Sequence, residues 1–74
     1  MIERGGENMR LNTDRLFIER AKRDWTMKDL AEQVGVSAQA VTVAVRKKKI
    51  SASLAGKIAK ALDIDVEELV IFED

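Results

Sequence analysis

The segment from Thr26 to Lys49 constrains the fold of this chain more than any other part of the sequence. Thr26 and Asp29 have the spacing of a capping box, which predicts that a helix starts there. Gly35 predicts the end of that helix, because glycine adopts a positive φ at little cost. Ser37 is a suitable cap for a second helix immediately afterwards. We therefore expect two short helices joined by a tight turn, with the second presented at a fixed angle by the first.

Helical periodicity continues on both sides of this pair, so we expect five helices in one compact all-α bundle. They should cover about residues 14–23, 26–35, 37–46, 51–62 and 65 onward. The side chains predicted to face inward are Leu16, Phe17, Ile18 and Ala21; Leu30, Ala31 and Val34; Val41, Ala44 and Val45; Leu54, Ala55, Ile58, Ala59 and Leu62; and Val66, Leu69, Val70 and, in one reading, Phe72. Trp25 should be a core residue that staples the second helix. Asp65 should cap the fifth helix, with Glu68 as its reciprocal partner.

Residues 1–11 contain two adjacent glycines, several charges and no periodic apolar pattern. Such a composition predicts a flexible N-terminal extension that precedes a single domain at residues 12–74. Met9 is an alternative start for the chain, and the sequence leaves that question open.

The composition argues against several classes of function. The chain has no cysteine and no histidine, so it lacks the commonest metal ligands and the commonest general base. It also has no glycine-rich phosphate loop, so we do not expect an enzyme. No apolar run approaches the roughly 20 residues of a membrane helix. We expect a small cytoplasmic protein with no metal, cofactor, small-molecule ligand or membrane partner.

The net charge of zero conceals a strong segregation of charge along the chain. Residues 1–36 carry seven acidic and seven basic side chains, residues 37–62 carry six basic ones and no acid, and residues 63–74 carry six acids and no base. Separation of this kind attracts a polyanion to one part of the surface and repels it from another. The distribution therefore favours a nucleic-acid partner, although the total charge does not.

Several short strings resemble a known family. They are Leu30-Ala31, Gly35-Val36-Ser37, Val41, Ile58-Ala59-Lys60-Ala61-Leu62 and Val66-Glu67-Glu68-Leu69. From about residue 14 to residue 70 the chain resembles the Cro/lambda-repressor-like (XRE-type) helix-turn-helix DNA-binding domain. The resemblance implies a five-helix fold and a DNA-binding regulator. Three positions depart from the family pattern: Met27 stands where many members have a phosphate-anchoring glutamine, and Val45 and Lys47 stand where many have glutamate and glycine.

In such a domain the helix at residues 37–46 is expected in the major groove of double-stranded DNA. Its outer face supplies the candidate base contacts, which are Ala38, Gln39, Thr42 and Val43. Glutamine can pair bidentately with adenine, and threonine and valine can pack on thymine methyl groups. The candidate phosphate contacts are Ser37, Arg46, Lys47, Lys48 and Lys49. The plainer interpretations are a solvated helix face, a solvated cationic loop, and a serine that only caps its helix.

A single domain of this size makes few base contacts, so we expect a homodimer that reads two half-sites about 34 Å apart. The candidate dimer contacts are Val70, Ile71 and Phe72, and packing against the chain's own core is the alternative for them. The leading functional hypothesis is a sequence-specific, repressor-like transcriptional regulator. The alternative is a protein-interaction module of the same fold, such as an antitoxin, antirepressor or adaptor.

Overall fold

Five helices and two short strands make up residues 9–72, the part of the chain that the computed structural model describes. In chain order they are β1 (Met9–Leu11), α1 (Thr13–Arg23), α2 (Met27–Val34), α3 (Ala38–Lys47), α4 (Ala52–Leu62), α5 (Val66–Leu69) and β2 (Val70–Phe72). The predicted all-α architecture with five helices is confirmed, and the two strands form a small antiparallel sheet beside it.

Side chains cap the N-termini of the first four helices. Asn12, Thr26, Ser37 and Ser51 each accept a hydrogen bond from the backbone N–H three residues later, at 3.0 to 3.2 Å. Each of these caps satisfies a donor that has no partner within its helix. Asp65 occupies the predicted N-cap position of the fifth helix, but its side chain makes no capping bond, so the predicted reciprocal pair with Glu68 is wrong.

The last predicted helix is shorter than expected. Helix α5 ends at Leu69, and the next three residues extend into β2 rather than continuing the helix. β2 pairs antiparallel with β1, so that Val70 lies opposite Leu11 and Ile71 lies opposite Arg10. The β-branched residues of β2 favour this extended conformation. Placing Val70 and Phe72 on a helix was therefore wrong.

The N-terminal strand belongs to the fold. Met9 and Leu11 are only 5% and 3% exposed, and both lie in the core. The backbone N–H of Leu11 also donates to the carbonyl of Lys48 at 3.2 Å, which holds β1 between β2 and the end of α3. The prediction of a flexible extension is therefore wrong for residues 9–11. Residues 1–8 lie outside the described part of the chain.

The core lies where α2, α3, α4 and the sheet meet α1. Its fully enclosed side chains are Leu16, Leu30, Val41, Ile58, Leu62 and Leu69. The inward faces predicted for α2, α3 and α4 are confirmed, with Val34, Val45 and Leu54 at the half-buried margin. The broad apolar stripe predicted for α1 is wrong, because Phe17 and Ile18 are 61% and 50% exposed, and Ala21 is exposed as well.

A buried carboxylate occupies the inner face of α1 instead. Glu19 is 1% exposed and accepts hydrogen bonds from Arg15 Nε at 2.8 Å and from Arg23 Nη1 at 2.7 Å. These bonds, led by the one from Arg23, hold the pKa of Glu19 below its usual value in spite of its burial. Arg23 also donates to the carbonyl of Leu62, and Arg15 pairs with Glu68. The network therefore ties α1 to α4 and α5.

Candidate nucleic-acid interface

The α2–α3 pair has the geometry that its sequence predicts. Gly35 ends α2 with φ = 89° and donates its N–H to the carbonyl of Ala31 at 2.8 Å. Ala31 and Val41 are buried where the two helices cross, at 2% and 0% exposure. The reciprocal bonds between Thr26 and Asp29 are both present, at 2.9 and 3.0 Å. They fix the start of α2, and the bond donated by the Thr26 backbone lowers the pKa of Asp29.

Ser37 starts α3 and remains at the surface. Its hydroxyl oxygen accepts the N–H of Ala40 at 3.1 Å, so the predicted capping role is confirmed. The side chain is exposed, which also leaves the first turn of α3 open to solvent. Contact between Ser37 and a phosphate stays a prediction.

The outer face of α3 carries the four candidate base contacts. Ala38, Gln39 and Thr42 are exposed, whereas Val43 is half-buried. Ala38 lies four residues before Thr42, and Gln39 lies three before Thr42 and four before Val43, so the set shares one side of the helix. They also lie away from the inward-facing Val41 and Ala44. Val43 presents less of its side chain than the other three, and contact with bases stays a prediction for all four.

The cationic run follows directly from that face. Arg46 and Lys47 occupy the last turn of α3, and Lys48 ends the helix with φ = 59°. The backbone of Lys49 forms an isolated antiparallel β-bridge with the backbone of Arg10 in β1, which anchors this segment. All four side chains from Arg46 to Lys49 are exposed, and none of them has an acidic partner among residues 9–72. They also interact favourably with the C-terminal dipole of α3, which is their plainer role.

The departure at Met27 changes the start of α2. Met27 is half-buried against the core, and its thioether has no N–H donor to replace the glutamine that many family members have there. Together with Val45 and Phe17 it lines a cavity of about 380 Å³ between α1, α2 and α3. Arg20 lines the same cavity, donates from Nη1 to the carbonyl of Trp25 at 3.0 Å, and keeps its buried Nε without a hydrogen-bond partner.

Trp25 packs half-buried against the core, as expected, with the guanidinium of Arg23 5.4 Å from the centre of its ring. The roles of Arg20 and Glu19 were missed from the sequence. For Glu19 a signal was available, because Arg15 and Arg23 each lie four residues from it.

The three candidate dimer contacts do not share one environment. Val70 is 5% exposed within its own chain, so its side chain is not available to a second copy. The sheet turns the Val70 side chain into the chain's own core, which was the alternative interpretation, and a role of Val70 in a dimer stays a prediction. Ile71 is 44% exposed, and the backbone of Phe72 pairs with Met9.

Residues 9–72 contain no cluster of three or more aspartate, glutamate, cysteine or histidine side chains able to hold a metal ion. None of the helices in this range is both long and apolar enough to cross a membrane.

Comparison with known proteins agrees with this geometry. A family model described as helix-turn-helix matches residues 16–69, which include α2, α3 and all but the ends of the bundle. The chain belongs to the XRE-type helix-turn-helix family. It is also similar to an uncharacterized HTH-type transcriptional regulator of Methanocaldococcus jannaschii. The two are 40% identical over 63 residues, which cover 82% of this chain and 94% of that protein.

Proposed function

We propose that this protein is a sequence-specific, repressor-like transcriptional regulator that acts in the cytoplasm as a homodimer on double-stranded DNA. One observation carries the proposal. The exposed, acid-free face of α3 continues directly into four exposed cations that have no acidic partner among the described residues. A polyanion with a groove wide enough for a helix fits this surface. Membership of the helix-turn-helix family and the similarity to an HTH-type transcriptional regulator support the same assignment.

In this proposal α3 lies in the major groove and reads the bases. The amide of Gln39 can donate to and accept from one adenine, which gives a two-bond contact that other bases do not reproduce. Thr42 and the exposed part of Val43 offer methyl groups to thymine. Ala38 lets the helix approach closely because its side chain is small.

The phosphate backbone supplies most of the affinity. The cations from Arg46 to Lys49 would each neutralise a phosphate, while Ser37 offers its hydroxyl or nearby N–H groups to another. With about four ionic contacts per chain, a dimer makes about eight. The logarithm of the affinity should then fall with the logarithm of salt concentration at a slope near −7.

Selection of duplex DNA from a random pool tests the proposal. We expect an enriched site made of two inverted half-sites whose centres are about one helical turn apart. The selected duplex should bind at least about a thousandfold more tightly than random duplex at equal salt. If the selection enriches no sequence, or if the enriched duplex binds no more tightly than random duplex, sequence-specific recognition is refuted.

The second candidate function is a protein-interaction module of the same fold. It is favoured by the exposed apolar side chains Phe17 and Ile18 on α1, and by Met27 at the start of α2. A binding titration with random duplex at low salt separates the two functions. A DNA-binding regulator shows measurable nonspecific affinity there, whereas a module specialised for protein partners shows none.

A further inference from the structure

Apolar side chains are exposed together on the side of α1 that faces away from the core. Phe17 and Ile18 are adjacent in the chain and are 61% and 50% exposed, and Ala21 is exposed one turn later. The other large apolar side chain exposed in residues 9–72 is Ile71, which lies apart from them on β2. Apolar side chains that are exposed as a group, rather than singly, mark an interaction site.

Opposite charges lie at the two ends of this apolar group. Asp14 is in the first turn of α1 and Lys22 is in the last, and both are exposed. Asp14 lies three and four residues before Phe17 and Ile18, and Lys22 lies four after Ile18, so they share one side of the helix. We call residues 14, 17, 18, 21 and 22 the outer face of α1. Along the helix this face presents an acid, an apolar group and a cation, in that order.

Both charges are available to a second molecule. Asp14 forms no ion pair among residues 9–72. The ammonium of Lys22 lies 3.6 Å from Glu19, but its side chain is still 64% exposed. The neighbouring cations are directed elsewhere, because Arg15 pairs with Glu19 and Glu68 on the inner side of the helix.

We propose that the outer face of α1 is a contact between two copies of this chain, with the two helices antiparallel around a two-fold axis that passes between Phe17 and Ile18. Ile18 then packs on the partner's Ile18, and Phe17 packs on the partner's Phe17. Asp14 of each chain faces the partner's Lys22, and the small Ala21 lets the two helices come close. The contact is separate from the C-terminal candidates for the homodimer, so it joins one dimer to the next.

A second copy is the partner whose charges this face fits. Read in the opposite direction, the same face presents a cation, an apolar group and an acid, so an antiparallel copy matches it group for group. Residues 14 and 22 are about 12 Å apart along the helix axis, so one ion pair forms on each side of the apolar contact. A parallel copy would instead place like charges beside each other, which disfavours that arrangement.

The size of the contact indicates where it acts. Exposed ion pairs contribute little, and two large apolar side chains from each copy cover a small area, so the contact is weak in free solution. It becomes effective when one duplex holds two dimers side by side, because their effective concentration is then high. This role between dimers rests on the proposed function, whereas the contact itself does not. On a duplex with a single site the contact has no partner, so Asp14 and Lys22 take no part in binding there.

A single cysteine tests the two-fold axis directly, because the chain has none of its own. In an Ile18→Cys variant the two thiols belong to facing helices whose Cα atoms are about 5–7 Å apart, which permits a disulfide. The matched control is Ser53→Cys, at an exposed position on α4. Under mild oxidation at low salt we expect the full-length Ile18→Cys chain to form a covalent dimer at least about tenfold faster than the control. Equal rates would overturn the contact.

Charge reversal tests the two ion pairs in the same assay. In the Ile18→Cys chain, Asp14→Lys places lysines opposite each other and should slow crosslinking at least about fivefold. A nearby lysine alone would make the thiol more reactive, so thiol chemistry does not explain a slower rate. Adding Lys22→Glu restores opposite charges and should return the rate to within about twofold of the Ile18→Cys chain. Glu32→Lys on α2 makes the same change in net charge as Asp14→Lys and should leave the rate unchanged.

Circular dichroism checks that each variant remains helical. If Asp14→Lys unfolds the chain, Asp14→Asn removes both ion pairs without reversing a charge and should slow crosslinking to a smaller extent. A rate that stays the same in every charge variant would overturn the pairing of Asp14 with Lys22.

The outcomes separate this contact from the proposed function. Slow crosslinking at residue 18 in a chain that binds its selected duplex overturns the contact and leaves the proposed function standing. Rapid crosslinking in a chain that binds no duplex supports the contact and refutes the proposed function. On a duplex with two adjacent selected sites, we expect the wild type to bind the second site at least about fivefold more tightly than the first, and Asp14→Lys to lose that difference. Equal cooperativity in both chains would overturn the role between dimers.

Discussion

Helices α1 and α3 are nearly equal in length, at 11 and 10 residues, and both are rich in cations at their C-terminal ends. On α1 the cations are committed within the molecule, because Glu19 bonds to Arg15 and Arg23 and lies 3.6 Å from Lys22. The cations at the end of α3 and just after it, residues 46–49, form no ion pair with an acidic side chain in the described structure. The same residue types therefore stabilise the fold in one region and leave positive charge at the surface in the other.

The largest expected effect concerns the lysines after α3 that form no ion pair. Replacing Lys47, Lys48 and Lys49 by glutamine removes six positive charges from a dimer. The affinity for any duplex should fall by more than about a hundredfold at moderate salt, and the salt slope should become shallower by about 5. Fluorescence anisotropy over a range of salt concentrations measures both quantities.

The matched control is Lys22→Gln on α1, whose ammonium faces Glu19. This control should leave the salt slope unchanged. If the triple variant also kept the wild-type slope, the lysine run would have no phosphate role. If Lys22→Gln changed the slope as much per charge, the contrast between the two helices would disappear.

The next effect concerns the acid that neutralises α1. Glu19→Gln leaves Arg15 and Arg23 without their buried counter-ion, and loss of one partner of a buried pair usually costs about 3–5 kcal/mol. The two arginine side chains are 33% and 27% exposed, so water compensates in part. We expect the free energy of unfolding in urea to fall by about 2–3 kcal/mol. Glu32→Gln on the exposed surface of α2 should change it by less than about 0.5 kcal/mol.

The pH dependence of stability gives a second readout of Glu19. Its pKa is lower in the folded chain than its ordinary value, chiefly because Arg23 donates to the carboxylate. The stabilisation is therefore fully present above the pKa of this carboxyl in the unfolded chain and is lost as pH falls through its lower folded-state pKa. Unfolding measured from pH 6 to pH 3 should show a steeper loss for the wild type than for Glu19→Gln. Parallel curves would mean that Glu19 gains nothing from its partners.

The two helices also differ in what their sequences reveal. The Thr26–Asp29 box, the Gly35 turn and the Ser37 cap could be predicted because each depends on residues within a few positions of each other. The inner face of α1 could not be read from hydrophobicity. Its two buried side chains are Leu16 and a glutamate, and burial of the glutamate's charge depends on where Leu62 and Glu68 place the arginines that surround it.

The terminal sheet shows the same limit more clearly. β1 and β2 are three residues each, too short for a period of two to be recognised, and they come from opposite ends of the described chain. Their pairing depends on the bundle, which brings Asn12 beside Leu69. The candidate base and phosphate contacts could be listed from sequence because α3 was predicted well. Whether these residues contact DNA depends on a second molecule, and the contacts within the chain do not test it.

A smaller effect concerns the base-reading face of α3. Gln39→Ala should reduce the preference for the selected site over random duplex by about 1–3 kcal/mol, because a two-bond contact with one base is lost. Affinity for random duplex should change little. Gln33→Ala, at an exposed position on α2, is the matched control and should leave the preference unchanged. An equal loss on specific and random duplex would remove Gln39 from the set of base contacts.

The smallest effect separates the two contributions of one residue in the cationic run. Lys48 adopts φ = 59°, a left-handed conformation that costs a side chain with a Cβ atom about 1 kcal/mol relative to glycine. Lys48→Gly should therefore raise the free energy of unfolding by about 0.5–1 kcal/mol, whereas Lys48→Gln should not. Both variants should make the salt slope of a dimer shallower by the same amount, about 2, because both remove one charge per chain. A stabilisation in both variants would assign the cost to repulsion among neighbouring lysines rather than to the backbone. The cationic run would then be a region where the fold tolerates unfavourable charge, which would make its contrast with the neutralised α1 sharper still.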